Sequence, residues 1–89
     1  MRAVITVVGK DTVGIIASLS AKCLEHNINI VDITQKVLGD LFTMIMLVDL
    51  DKATVKFDDF VAETNAIGKE KSLAIHTMNE EIFQSMHSI

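Results

Sequence analysis

The chain has 89 residues, 49% of them hydrophobic, and its 8 basic and 12 acidic side chains give a formal net charge of −4. A chain of this length forms one small domain. The negative charge and the absence of Tyr and Trp argue against nucleic-acid binding, and the single cysteine, Cys23, excludes an internal disulfide. We find no signal peptide or long apolar span, so we expect a cytoplasmic protein that does not bind a membrane.

Residues 2–8 are rich in β-branched side chains and almost wholly apolar, which is typical of a central strand covered on both faces. The chain then continues as "GKDTVGII", with four residues between Gly9 and Gly14 as in a phosphate-binding loop. Two isoleucines follow Gly14 where such a loop needs Lys and Ser or Thr, so a nucleotide-binding P-loop is excluded. Two interpretations stay open. The glycines either serve an anion site at a helix N-terminus or only allow close packing of the chain.

The next segment is predicted to be a helix that Asp11 or Thr12 caps and that continues through His26. Its apolar residues recur at helical spacing: Ile15 or Ile16, Leu19 and Cys23. Because Cys23 lies on this stripe, we expect its thiol to be part of the core.

Residues 29–38 alternate in polarity as a strand does, with Val31, Ile33 and Val37 predicted to share one face. Gly39 and Asp40 fit a two-residue hairpin turn with glycine first. The strand at 41–50 is apolar on both faces.

A second helix is predicted over about 55–70 and a fourth strand over 72–78. The order β-α-β-β-α-β is that of the α+β, ferredoxin-like fold, with two helices on one face of a four-stranded antiparallel sheet. Asn79 is expected to cap a short terminal helix, so that 1–78 forms the domain and 79–89 a helical extension. Two strands are apolar on both sides, and we expect a homodimer or higher homo-oligomer to cover the surplus apolar surface.

The residues for catalysis or metal binding are missing from the places where this fold uses them. The lone cysteine does not form the pair of a metal chaperone, and His26, His76 and His87 lack ligand spacing. Arg2, the only arginine, lies at the wrong end of the first strand for an acylphosphatase, an activity retained only because the fold permits it. We therefore expect no catalytic residue, no metal and no cofactor.

Residues 7–35 resemble the opening of an ACT domain. That family shows a strand, a loop of the form G-x-D-x-x-G-[IL], a helix, and N-I-x-D-I leading into the second strand. The matching residues, in order, are Gly9, Asp11, Gly14, Ile15, Asn29, Ile30, Asp32 and Ile33. The resemblance extends over residues 1 to about 78, and it is nearest to small stand-alone bacterial ACT proteins and to one half of the glycine cleavage system's transcriptional repressor.

The resemblance implies a non-catalytic regulatory module that binds a small molecule, usually an amino acid, between subunits. The ligand-binding residues that it implies lie in the first loop and at the start of the second strand: Gly9, Lys10, Asp11, Thr12, Val13, Gly14, Ile15, Asn29, Ile30 and Asp32. Backbone N–H groups of the loop would bind a carboxylate beside Asn29, and Asp32 would bind an ammonium group.

Two alternatives remain open at this level. Asn29 and Asp32 are also residue types that shape the exit of a helix and the start of a strand, without any ligand. As the alternative function, the protein is a protein-protein interaction module whose ligand site is degenerate and binds nothing. The sequence does not identify a regulated partner.

Overall fold

The computed structural model describes residues 1–10 and 14–87. Its elements are β1 (Arg2–Gly9), α1 (Ile15–Glu25), β2 (Asn29–Leu38), β3 (Leu41–Asp49), α2 (Phe57–Lys71), β4 (Ala74–Asn79) and α3 (Glu80–His87). The predicted order of strands and helices, with a terminal helix after the fourth strand, is confirmed. The predicted caps Asp11 and Thr12 lie outside the described residues.

The four strands form one antiparallel sheet in the order β2-β3-β1-β4. Strand β1 therefore pairs on both sides, while β2 and β4 are the edges. The central position of β1 explains why its sequence is almost wholly apolar, since Ala3, Ile5 and Val7 lie in the core under the helices and Val4 is buried as well.

The hydrophobic core lies between the sheet and the two long helices. Its fully buried members include Ala3, Ile5 and Val7 from β1, Met44, Met46 and Val48 from β3, Ile15, Leu19 and Cys23 from α1, and Phe60 from α2. Cys23 is 1% exposed, as predicted. Burial raises the pKa of its thiol to about 11, so the thiolate is scarce at neutral pH.

One hydrogen-bonded pair of hydroxyls joins α2 to β4 inside this core. Thr64 donates to the carbonyl of Val61 at 3.0 Å, and its oxygen lies 2.8 Å from the hydroxyl of Thr77. Since the Thr64 proton is already used, Thr77 donates in that second bond. The buried polar atoms of Thr64 are thereby satisfied, as a buried hydroxyl requires.

Strand β2 departs from the predicted alternation. The register with β3 shifts between Ile30 and Asp32, which places Val31 in a β-bulge. Ile30 and Ile33 both pack against the core, whereas Val31 is 46% exposed, so its predicted place beside Ile33 was wrong. The extra residue also puts Asn29 and Asp32 on the same face of the sheet, since they pair with Asp49 and Leu47 of β3.

The hairpin between β2 and β3 has the predicted turn. Gly39 has a positive φ of 64°, whereas the φ of Asp40 is not positive. Leu38 pairs with Leu41 on either side of the turn. A positive φ at the first turn residue alone is the pattern of a type II′ turn, which matches the twist of antiparallel strands.

Helix α3 folds back onto its own domain, where it contacts β1 and β4. The side chain of Asn79 accepts the N–H of Glu81 at 2.7 Å, which is the predicted cap, and Arg2 donates to Glu80 at 2.6 Å. Ile82 and Met86 nevertheless remain 56% and 64% exposed, so one apolar side of α3 faces outward. In the described part of the chain, every helix is too short or too polar to cross a bilayer.

A glycine in α2 provides a test of the packing between α2 and β4. A Cβ on Gly68 would lie 2.9 Å from the Leu73 carbonyl oxygen and 3.2 Å from Ile75 Cγ1. We expect Gly68→Ala to lower the free energy of unfolding by up to about 2 kcal/mol, because an overpacking cost of about 1–3 kcal/mol is offset only in part by the roughly 1 kcal/mol gain in helix propensity. Asn65→Ala, at an exposed position of the same helix, should raise it by a few tenths. Urea denaturation measures both, and a stabilised Gly68→Ala variant would contradict the packing argument.

Candidate functional site

The connection from β1 to α1 carries the first half of the predicted ligand site. Gly9 ends β1, and Gly14 caps α1 at φ 77° and ψ 2° with no side-chain hydrogen bond. The first helical bond runs from the Ser18 N–H to the Gly14 carbonyl at 2.9 Å, so the preceding N–H groups of the first turn have no partner within the helix. Asp11, Thr12 and Val13 lie outside the described residues.

Both glycines have structural roles that need no ligand. A Cβ on Gly9 would overlap the side chain of Leu73, which is buried under the end of β1. Gly14 has open space around it but adopts a left-handed backbone conformation that other L-residues adopt at a cost. Close packing therefore explains Gly9, and backbone conformation explains Gly14.

Lys71 is a residue of this region that the sequence interpretation missed. Its Nζ lies 3.9 Å from the position that a Cβ on Gly14 would occupy. Lys71 is the last residue of α2, and a lysine in the last turn of a helix is so common that it gives no signal of a site. Here the fold places its ammonium beside the positive end of α1, and the two together form a region of positive potential.

The second half of the predicted site lies at the other end of the sheet. Asn29 pairs with Asp49, whereas Gly9 pairs with Phe42, seven residues earlier on β3. At 3.3 Å per residue this separation is about 23 Å. Within one chain Gly9, at the start of the loop, is therefore far from Asn29 at the start of β2.

Asn29 opens onto a groove of about 500 Å³. The other residues that line it are Leu24, Asn27, Ile28, Asp49, Asp51 and Lys52. The groove combines carboxylates, amides and a lysine, and its volume is within the range of small-molecule sites. It is the best candidate for the ligand-facing surface at this end of the domain.

Ile30 and Asp32 have local roles in β2. Ile30 is partly buried and packs against the core, which accounts for its apolar side chain without a ligand. Asp32 is exposed, and its carboxylate accepts the N–H of Ile33 at 2.9 Å, beside the bulge. One carboxylate oxygen of Asp32 is thus used for the strand, and the other is available to solvent.

Comparison with known proteins places these features in context. A sequence model described as the ACT domain matches residues 2–63. The UPF0237 protein of Listeria innocua is 47% identical over 89 residues, which is 100% of both chains. The solved structure of an ACT domain protein from Streptococcus pneumoniae matches with a TM-score of 0.79 at 40% identity, over 94% of each chain. A candidate glycine cleavage system transcriptional repressor matches at a TM-score of 0.67 and 25% identity, over 86% of this chain and 44% of that one.

The backbone at Gly14 can be tested apart from any ligand. We expect Gly14→Ala to lower the free energy of unfolding by about 1–2 kcal/mol, the penalty of a left-handed conformation, and Gly14→Asn to cost less because Asn tolerates it. Gly39 is the matched control, because its φ is 64° and nothing lies within 4 Å of its added Cβ. Thermal and urea unfolding should give a loss at Gly14 no larger than the loss at Gly39, because the first residue of a type II′ turn has a conformation at least as costly for alanine. A much larger loss at Gly14 would show that contacts of the loop, and not backbone conformation, require the glycine.

Proposed function

The chain belongs to the ACT domain family, and from this premise we propose that it is a non-catalytic, cytoplasmic regulatory module that binds an amino acid between two copies of itself. The observation that carries the proposal is the separation of the two half-sites. Gly9, where the loop after β1 begins, and the groove at Asn29 lie at opposite ends of the sheet within one chain. A site that uses both must therefore combine two chains.

The end of the site at α1 suits a carboxylate. The first-turn N–H groups of α1 and the ammonium of Lys71 supply hydrogen-bond donors and positive charge at one place, and no acidic residue occurs in the first turn of α1. The groove at Asn29 carries the carboxylates of Asp49 and Asp51. Asp51 pairs with the N-terminal ammonium of Met1 and Asp49 accepts the N–H of Asp51, so their remaining oxygens are the ones that would bind a ligand's ammonium group. An amino acid presents both charges.

Pairing through β2 would bring the two ends together. Strand β2 is an edge of the sheet, and most of its residues are exposed along its whole length. If two copies pair antiparallel about a two-fold axis, the start of β2 in one copy lies beside the end of β2 in the other. That end is level with Gly9, because Val37 and Gly9 both pair with Phe42. Asn29 of each copy would then approach the β1–α1 loop of the other.

Exposed apolar side chains on the β2 side favour such a contact. Leu24, on the neighbouring end of α1, is 83% exposed, and Val31, Val37 and Leu38 are exposed on β2 itself. Burial of each such side chain contributes about 1.5–3 kcal/mol, and four of them in each copy offset a substantial part of the cost of association.

A second candidate, a protein-protein interaction module with a degenerate site, is favoured by the local roles of Gly9, Gly14 and Asp32. Each of these residues is explained by packing, backbone conformation or a bond to its neighbour. Acylphosphatase activity has less support, because Arg2 pairs with Glu80 at the start of β1, at the end of the strand opposite to the glycine loop.

Calorimetric titration with each of the twenty amino acids separates the two candidates. We expect at least one to bind, and Lys71→Met to weaken its binding by about tenfold, the effect of one charge-assisted hydrogen bond of about 1.5 kcal/mol. Lys69→Met, two residues earlier on an exposed side of α2, is the matched control and should bind normally. If no amino acid binds the wild-type protein, the interaction module is the better description.

Light scattering on charge-insertion variants tests the mode of association. We expect a dimer at micromolar concentration, and we expect Leu24→Glu and Val37→Glu to dissociate it, because each buries a carboxylate in the β2 contact. Ile82→Glu is the control, since α3 contacts β1 and β4 on the far side of the sheet. A dimer lost only with Ile45→Glu, on the open face of β3, would mean that two sheets pack face to face.

A further inference from the structure

A polar cluster joins the C-terminal end of α1 to α2, beside the groove at Asn29 and at the opposite end of α1 from Gly14. It consists of Glu25, the last residue of α1, His26, which caps that helix, and Glu63, in the middle of α2. One donor atom from each of the three lies within 4.8 Å of the other two. We name these residues the Glu-His-Glu cluster.

Two atoms at the centre of the cluster lack hydrogen bonds. His26 Nε2 lies 2.8 Å from Glu63 Oε2, yet the two are misaligned for a hydrogen bond, and neither atom is accessible to solvent. His26 Nε2 is also 3.7 Å from Glu25 Oε2. Buried polar atoms are almost always paired, and an ion between them is one of the few explanations for an exception.

We propose that the Glu-His-Glu cluster binds a divalent transition-metal cation of the Zn²⁺ type. An imidazole nitrogen and two carboxylate oxygens are ligands that Zn²⁺ accepts, and three protein ligands leave a fourth position for water. Ligand atoms about 2.1 Å from a tetrahedral ion lie about 3.4 Å from one another. Two of the three separations, 2.8 and 3.7 Å, are within about 0.6 Å of that value, and the carboxylate oxygens of Glu25 and Glu63 lie within 4.8 Å of each other. Rotations of the two glutamate side chains would complete the site.

The surroundings favour a cation as well. The site lies at the C-terminal end of α1, where the helix dipole is negative. In the structure this preference is met by Lys22, whose Nζ lies 3.0 Å from Glu25 Oε2 and 3.3 Å from Glu63 Oε1. Lys22 therefore occupies the electrostatic position of the cation, and metal binding requires its displacement from the two carboxylates.

The competition between Lys22 and the metal distinguishes this site from accidental Zn²⁺ binding to surface histidines, which would not depend on Lys22. We expect Zn²⁺ to bind the full chain in a one-to-one ratio in calorimetry and to raise its thermal midpoint, whereas Mg²⁺ at the same concentration does neither. His26→Gln should weaken Zn²⁺ binding by about 100-fold, at least as much as the loss of an outer-shell partner in known sites. Lys22→Met should tighten it, because it removes the competing ammonium and retains a side chain of similar length.

Two controls keep the result interpretable. His76→Gln, at an exposed position on β4, should leave Zn²⁺ binding unchanged. Glu25→Gln changes an exposed carboxylate and should leave the circular dichroism spectrum unchanged. Weaker Zn²⁺ binding in that variant would then arise from loss of a metal ligand and not from loss of the fold. The proposal is overturned if wild type binds no Zn²⁺, if His26→Gln binds it normally, or if Lys22→Met binds it more weakly. None of these outcomes depends on whether an amino acid binds at the β1–α1 loop.

Discussion

The pairing of β1 with both β3 and β4 is the constraint on which the rest of the domain depends. Because β1 is central, its first and last residues mark the two ends of the sheet. The connections between strands and helices lie at one or the other of these two ends. The end at Gly9 receives the N-terminus of α1 and the C-terminus of α2, with Leu73 packed against the glycine. The end at Arg2 receives the start of β2 and the terminal helix.

This arrangement separates charge along α1. At its N-terminus the helix dipole and Lys71 are both positive, and at its C-terminus Lys22 and His26 lie among the carboxylates of Glu25 and Glu63. The same helix thus carries an anion-favouring end and a cation-favouring end, as the dipole dictates. The locations of the two candidate sites thus depend on the direction of α1, which connects β1 to β2.

The element order could be predicted from the sequence because it depends on local patterns. Period-two and helical spacing of apolar residues, the glycine of the hairpin and the cap at Asn79 act over a few residues. The structure confirms the elements that these patterns predict, although the alternation within β2 is interrupted. The bulge at Val31 was missed, because an inserted residue changes the phase of a strand without a distinctive residue type. Lys71 and the Glu-His-Glu cluster were missed for another reason. Their partners are distant in the chain and come together only through the packing of α1 and α2 against the sheet.

The distance of about 23 Å between the β1–α1 loop and Asn29 has a thermodynamic consequence for the proposed module. A site completed by two copies is formed only in the dimer, so ligand binding and self-association are linked equilibria. Each ligand that binds must then raise the dimer association constant by the same factor by which dimerisation raises the affinity of that site. The protein would consequently respond to the product of two concentrations, its own and that of the ligand. Its midpoint for ligand would therefore change with the level of its expression.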